Sequence, residues 1–195
     1  IPPPDIAEQA MALSRLLVPF GSFFVLDGVA RHPHLSLYRV PFYESVLPTV
    51  MPLIDRLARS IEPFLLIQDT YYPDQGVWVG VRYVANKALF DLHTGVIDAL
   101  KPHRVIEDDA RYADRWAEMT TEQRRNIEEC GWAHAYTRYS PHMSFTKLQK
   151  PRADVLAHLP QRELSFIADH IGLYELGQHG APDILIADFW LKKKN

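Results

Sequence analysis

The spacing of apolar residues along this chain switches between two periods, and the switches lay out its elements. Ala10, Leu13, Leu16 and Leu17 recur at helical spacing behind an Asp5/Glu8 capping-box pattern, and Pro19 with Gly21 ends the run. Short strands are predicted over 23–26, closed by Asp27-Gly28, and over 34–40. Val50, Leu53, Ile54, Leu57 and Ile61 step by three and four, which predicts an amphipathic helix. Pro48 and Pro52 press that helix to begin near Thr49, because a proline costs no hydrogen bond in the first turn. Apolar, β-branched and aromatic runs over 64–72 and 77–84 flank Pro73-Asp74-Gln75-Gly76, the pattern of a β-hairpin. Leu89, Leu92, Val96, Ile97 and Leu100 give another helix, stopped by Pro102, while 103–119 is charged, weakly periodic and reads as loop or short helix. Thr120 and Gln123 form a capping box that opens a polar helix running to Cys130, with Gly131 as its stop. A strand from His142, a short helical piece over 154–159, and strands over 164–176 and 184–192 complete the chain. Strands joined by short turns and interspersed with helices predict an α+β fold with antiparallel pairing.

Composition narrows the class. With 195 residues, 47% hydrophobic and 23% charged, the chain is long enough to bury a core, as one domain or two closely packed lobes spanning 1–195. A net charge of −3 offers no extended surface for nucleic acid, so any such ligand must be held locally. The lone Cys130 has no partner for an internal disulfide, which fits a reducing compartment. No apolar run is long enough to span a membrane, and no basic and apolar leader is visible, so a cytoplasmic location is expected. The chain opens Ile1-Pro2-Pro3-Pro4 without Met, which suggests a native start further upstream.

Against that background one segment occurs twice. Pro33-His34-Leu35-Ser36-Leu37-Tyr38-Arg39 and Pro141-His142-Met143-Ser144-Phe145-Thr146-Lys147 each read Pro-His-apolar-Ser-apolar-hydroxyl-basic, with the histidines 108 residues apart. Composition alone predicts about 0.7 chance matches to His-x-Ser/Thr, so two such matches are unremarkable, whereas the shared frame around them is not. On a strand, alternate side chains share a face. That periodicity groups His34, Ser36 and Tyr38 on one face and Leu35 and Leu37 on the other, and likewise separates His142, Ser144 and Thr146 from Met143 and Phe145. Arg39 and Lys147 fall on the opposite face, where an ion pair or solvent is expected.

Two imidazoles and two hydroxyls in one polar cleft suit phosphodiester chemistry. One imidazole takes a proton from the nucleophile and the other gives one to the leaving oxygen, both near neutral pH. Serine hydroxyls donate to the non-bridging oxygens as charge builds on phosphorus. The scheme needs no metal and no other cofactor. The same residues equally describe a phosphate-binding module without turnover, or two ordinary strand histidines.

The paired His34-Leu35-Ser36-Leu37 and His142-Met143-Ser144-Phe145 motifs resemble those of the 2H phosphoesterase superfamily, which includes the RNA 2′,3′-cyclic phosphodiesterases once called 2′-5′ RNA ligases. The run from Met119 through Gly131-Trp132 to Thr146 is also similar to a 2H branch associated with phosphonate metabolism, though no substrate carries over from it. The resemblance implies two pseudo-symmetric α+β lobes with antiparallel sheets around a central cleft. It implies His34 and His142 as the acid–base pair and Ser36 and Ser144 as the phosphate-binding hydroxyls. The implied partner is a small nucleotide, cyclic phosphate or RNA end. The chain departs from the family in two ways: the strand that usually precedes the first helix is absent, and Ser stands where many members have Thr.

Tyr38 and Thr146 are candidate substrate contacts by alternation, while Tyr174 and Trp190 are aromatic enough to stack a base but read first as packing. His32-x-His34 lacks neighbouring carboxylate or thiolate ligands and is not taken as a metal site. His93, His103, His134, His158, His170 and His179 read as structural or surface residues, and Lys192-Lys193-Lys194 as a solvated end.

Overall fold

Pro4 opens the first helix, α1 (Pro4–Leu16), because its fixed φ suits a first turn and its missing N–H has no partner to lose there. The structure, a computed structural model, describes residues 1–74, 77–152, 154–177 and 182–192. Gln75 and Gly76 of the expected turn, His179, and Lys193 and Lys194 lie outside the described residues. The N-cap of α1 is Pro3, with no side-chain cap, so the expected Asp5/Glu8 capping box is replaced by a proline start. The chain divides into two units: residues 1–35, 63–85 and 141–188 form unit 1, and 36–62, 86–140 and 189–195 form unit 2.

Unit 1 holds α1 and the strands β1 (Phe64–Leu66), β2 (Gln68–Asp74), β3 (Trp78–Tyr83), β4 (His142–Lys147), β5 (Phe166–Ala168), β6 (His170–Leu176) and β7 (Pro182–Trp190), whose last two residues belong to unit 2. β2, β3 and β4 make an antiparallel three-stranded sheet, β1 pairs antiparallel with β5, and β6 pairs with β7. The apolar runs over 64–72 and 164–176 therefore each divide between two sheets, with Ile67 and Asp169 at the breaks. The strand expected over 23–26 is reduced to a single bridge, Ser22 to Leu148, beside a 2.7 Å bond from Phe23 N to Lys147 O. Alternate residues of β3 and β4, Val79, Val81, Met143 and Phe145, are fully buried, and Tyr71 meets Phe145 edge-on at 5.7 Å. α1 seats against β4 through Ser14, whose buried hydroxyl donates to Phe145 O at 2.7 Å and accepts from Leu26 N at 2.9 Å. Both ends of that hydroxyl are thus satisfied, which is what lets a polar side chain sit in the core.

Unit 2 is built on α2 (Leu47–Ala58), α3 (Lys87–Leu100) and α4 (Thr121–Cys130). α2 starts before Thr49 because the 3-10 turn Glu44–Val46 feeds it, with Pro48 in its first turn and Pro52 inside. Gly95 lets α3 lie close to α2, since a Cβ there would stand 2.9 Å from Leu57 Cδ1. Asn86 caps α3 by accepting from Leu89 N at 2.9 Å. The capping box of α4 forms as the sequence predicts, Thr120 and Gln123 each satisfying the other's backbone N–H, and Gly131 ends the helix at φ +77°. The charged segment before it runs as 3-10 turns over Glu107–Glu118. Helices and antiparallel sheets in one chain make this the α+β class expected, in two units. Among the described residues no helix is long and apolar enough to cross a membrane.

Candidate active site

The second motif is β4, and there the alternation holds for its first four residues. His142 is exposed, Met143 buried, Ser144 half-buried and Phe145 buried. Register fixes what stands beside them: His142 lies opposite Arg82, Ser144 opposite Gly80, and Gly80 in turn opposite Tyr72. Directly paired residues share a face, so Tyr72, Arg82, His142 and Ser144 come together on the side of the sheet away from Val81 and Met143. Tyr72 links the others. Its hydroxyl is 3.3 Å from Ser144 Oγ, its ring meets the His142 ring edge-on at 5.8 Å and 89°, and the Arg82 guanidinium carbon is 5.0 Å from its centroid. A Cβ at Gly80 would stand 3.0 Å from the Tyr72 hydroxyl and 2.3 Å from Met143 O, so only glycine leaves this crossing open.

The alternation then breaks. Pairing steps from Gly80–Ser144 to Val79–Thr146, leaving Phe145 as an extra residue, a β-bulge. Thr146 is consequently turned into the core rather than onto the His142 face. It is fully buried and its Oγ1 donates to Phe24 O at 2.7 Å. The expected substrate contact is thus a brace for the 22–24 segment. Lys147, expected in an ion pair or in solvent, sits 5.5 Å from the Trp78 ring centroid and 5.7 Å from that of Phe23.

The first motif differs more. No strand forms over 34–40. Pro33 and Pro41 bracket the segment without N–H donors, and Leu37 O is bonded by the His93 side chain instead of by a ladder partner. The ring of His34 places Nδ1 2.9 Å from His32 O. A carbonyl only accepts, so Nδ1 carries the proton and, in the neutral ring, Nε2 carries the lone pair. His32 is held in turn, with its N bonded to Pro182 O at 3.4 Å and its ring 5.3 Å from that of Tyr174. Tyr174, expected first as packing, therefore packs on His32, while Trp190 is exposed.

The boundary between the units falls inside this motif, between Leu35 and Ser36. His34, His142 and Ser144 belong to unit 1, whereas Ser36 and Tyr38 belong to unit 2. Ser36 is half-buried. Tyr38, expected beside His34 and Ser36, is an anchor of unit 2: its hydroxyl donates to Cys130 O, its ring lies 6.2 Å from Trp132, and burial pushes its phenol well above the usual range. In the same unit His93 is fully buried, donating from Nδ1 to Leu37 O at 2.7 Å and accepting from Tyr136 N at 2.9 Å. Among the described residues no three of His, Cys, Asp and Glu gather as a metal site.

Sequence reasoning missed Tyr72 and Arg82. Arg82 was signalled by its place in Val79-Gly80-Val81-Arg82-Tyr83, where it alternates with buried residues, but nothing in that run names β4 as its neighbour.

No family model matches the chain, and no curated protein matches it. Solved structures do. TT0787 of Thermus thermophilus superposes with a TM-score of 0.59 at 18% identity, covering 99% of this chain and 95% of that one. Escherichia coli LigT, solved in complex with NADP+, gives a TM-score of 0.54 at 14% identity, covering 99% of this chain and 94% of the other. At such identities the likeness is one of fold, and in fold this is a LigT-like α+β protein.

Proposed function

We propose that the protein is a phosphoesterase of the 2H type, opening a cyclic phosphate or a 2′,3′-cyclic or 2′-5′-linked nucleotide or RNA end with His34 and His142 as acid and base. The observation that carries the reading is the pairing of His142 and Ser144 on the open face of β4, in the unit that also holds His34. The LigT-like fold and the paired motifs support it. In hydrolysis, one imidazole accepts a proton from water as its oxygen bonds to phosphorus. The P–O bond to the ribose oxygen breaks, and the second imidazole, as imidazolium, protonates that oxygen. Ser36 and Ser144 donate to the non-bridging oxygens, whose charge grows as the transition state forms. His34, with its proton held at Nδ1 by the His32 carbonyl, has Nε2 as the nitrogen through which protons pass. The exchange of P–O bonds is assisted by proton transfer and hydrogen bonding from these side chains, and the scheme calls for no metal.

The test is a panel of 2′,3′-cyclic nucleotides and 2′-5′ dinucleotides incubated with the protein in EDTA, with products identified by phosphorus NMR. The reading expects one phosphomonoester regioisomer per cyclic substrate. Tight binding with every substrate left intact would identify a nucleotide-binding module instead.

A further inference from the structure

A phosphodiester is an anion, and the chain as a whole carries a net charge of −3, so a phosphate site here needs a local cation. Within unit 1 the second motif's own basic residue does not supply it: Lys147 is engaged with the Trp78 and Phe23 rings beyond the bulge, and Arg39 is a residue of unit 2. The cation that does share the face of His142 is Arg82, directly across from it on β3 and exposed.

We propose that Arg82 binds the phosphate beside His142, and that Tyr72 is the positioning residue that holds Arg82, His142 and Ser144 in register for it. The inference rests on the phosphoesterase reading for its substrate and deepens it by naming two residues outside the His-x-Ser motifs. A guanidinium presents paired N–H donors that match two phosphate oxygens, which a lysine ammonium does not. Its plane is steadied by the Tyr72 ring at 5.0 Å. The same ring limits the rotation of His142 through the edge-on contact at 5.8 Å. The Tyr72 hydroxyl, 3.3 Å from Ser144 Oγ, has a proton to give; when it donates to that oxygen, the serine's own proton is directed to the phosphate. Tyr72 reaches Ser144 across β3 only because residue 80 is glycine. One aromatic side chain, nearly buried at 6% exposure, thus contacts all three polar groups of the face.

Two substitutions separate the roles, and a binding readout keeps the inference independent of turnover. Inorganic phosphate is titrated against wild type, Arg82→Gln and Arg82→Lys, following histidine ring signals by NMR. Arg82→Gln is expected to weaken phosphate binding about tenfold or more, with Arg82→Lys recovering part of the loss. Tyr72→Phe keeps the ring and removes the hydroxyl. On a cyclic nucleotide it is expected to lower kcat about tenfold with KM and the pH profile little changed, the split expected when a hydroxyl is aimed mainly at the transition state. Wild-type phosphate affinity in Arg82→Gln overturns the role of Arg82 while leaving the phosphoesterase reading standing, and wild-type kcat in Tyr72→Phe does the same for Tyr72. Arginine-dependent phosphate binding with no turnover of any substrate overturns catalysis and keeps the Arg82 site. A wild-type protein that neither binds phosphate nor cleaves any substrate overturns both.

Discussion

His93 is wired so that its ring must stay neutral. Nδ1 donates to Leu37 O and Nε2 accepts from Tyr136 N, and the ring stacks on Tyr139 at 3.8 Å and 8°. Protonating Nε2 would turn the acceptor of the Tyr136 N–H into a donor facing a donor. Burial pushes the pKa down from 6.5 to about 4, and the Leu37 carbonyl offsets this only in part. In the unfolded chain a histidine titrates near 6.5. Between these values the unfolded chain takes up a proton that the folded chain refuses. The stability from His93 is therefore complete above about pH 6.5 and drains away as pH falls toward about 4, at about 1.4 kcal/mol per pH unit and about 3 kcal/mol in all. The perturbation is His93→Gln, which keeps polar atoms and removes the titration. Urea unfolding of both proteins at about pH 7.5, 5.5 and 4.5 isolates the residue, because other titrating groups are common to the two. The difference in stability is expected to move in the variant's favour by about 2 kcal/mol from the highest to the lowest of these pH values. Parallel profiles would show that the His93 ring is not held neutral in the folded protein. Protonation at Nε2 takes the acceptor away from the Tyr136 N–H, whereas Nδ1 still donates to Leu37 O, the carbonyl next after Ser36.

Other substitutions test the site's construction. Thr146→Val removes the hydroxyl that satisfies Phe24 O, and is expected to cost about 1–3 kcal/mol in chemical unfolding while leaving kcat/KM on a cyclic nucleotide at the wild-type value; a large loss of activity at unchanged stability would restore Thr146 as a substrate contact. Gly80→Ala forces a Cβ to within 2.3 Å of Met143 O, so β3 and β4 must part. It is expected to lower Tm by several degrees, a loss of about 1–3 kcal/mol, together with turnover, and a wild-type melting curve would show that the crossing of Tyr72 over residue 80 is not tight.

What the sequence foretold and what it did not divide along a physical line. α4 was legible because its signals are local: the capping box and the glycine stop act within a dozen residues of one another. That His142 and Ser144 share one face of β4 was legible for the same reason, since alternation along the strand needs only its own period. Thr146 was misassigned because the bulge at Phe145 is a property of the β3–β4 pair, and no feature of either strand alone announces it. Over 34–40 the period of two was present without a strand; Pro33 and Pro41 were visible, but His93, whose side chain takes Leu37 O, and Cys130, whose carbonyl takes the Tyr38 hydroxyl, are 56 and 92 residues away from the groups they bond. Tyr71 and Tyr72 are neighbours in sequence with opposite fates, one packed on Phe145 and the other beside His142. Choosing between them required the register.

His34 and His142 are proposed to serve one phosphate as acid and base. The most direct test is kcat/KM for a 2′,3′-cyclic nucleotide, measured in EDTA across pH, for wild type, His34→Ala, His142→Ala and the double variant. A bell-shaped wild-type profile is expected, with a loss of about 10²–10⁴-fold in each single variant. The double variant is expected to fall little further than either single one, because the two groups act as a unit. Either single variant retaining the wild-type rate would show that the two histidines are not an acid–base pair.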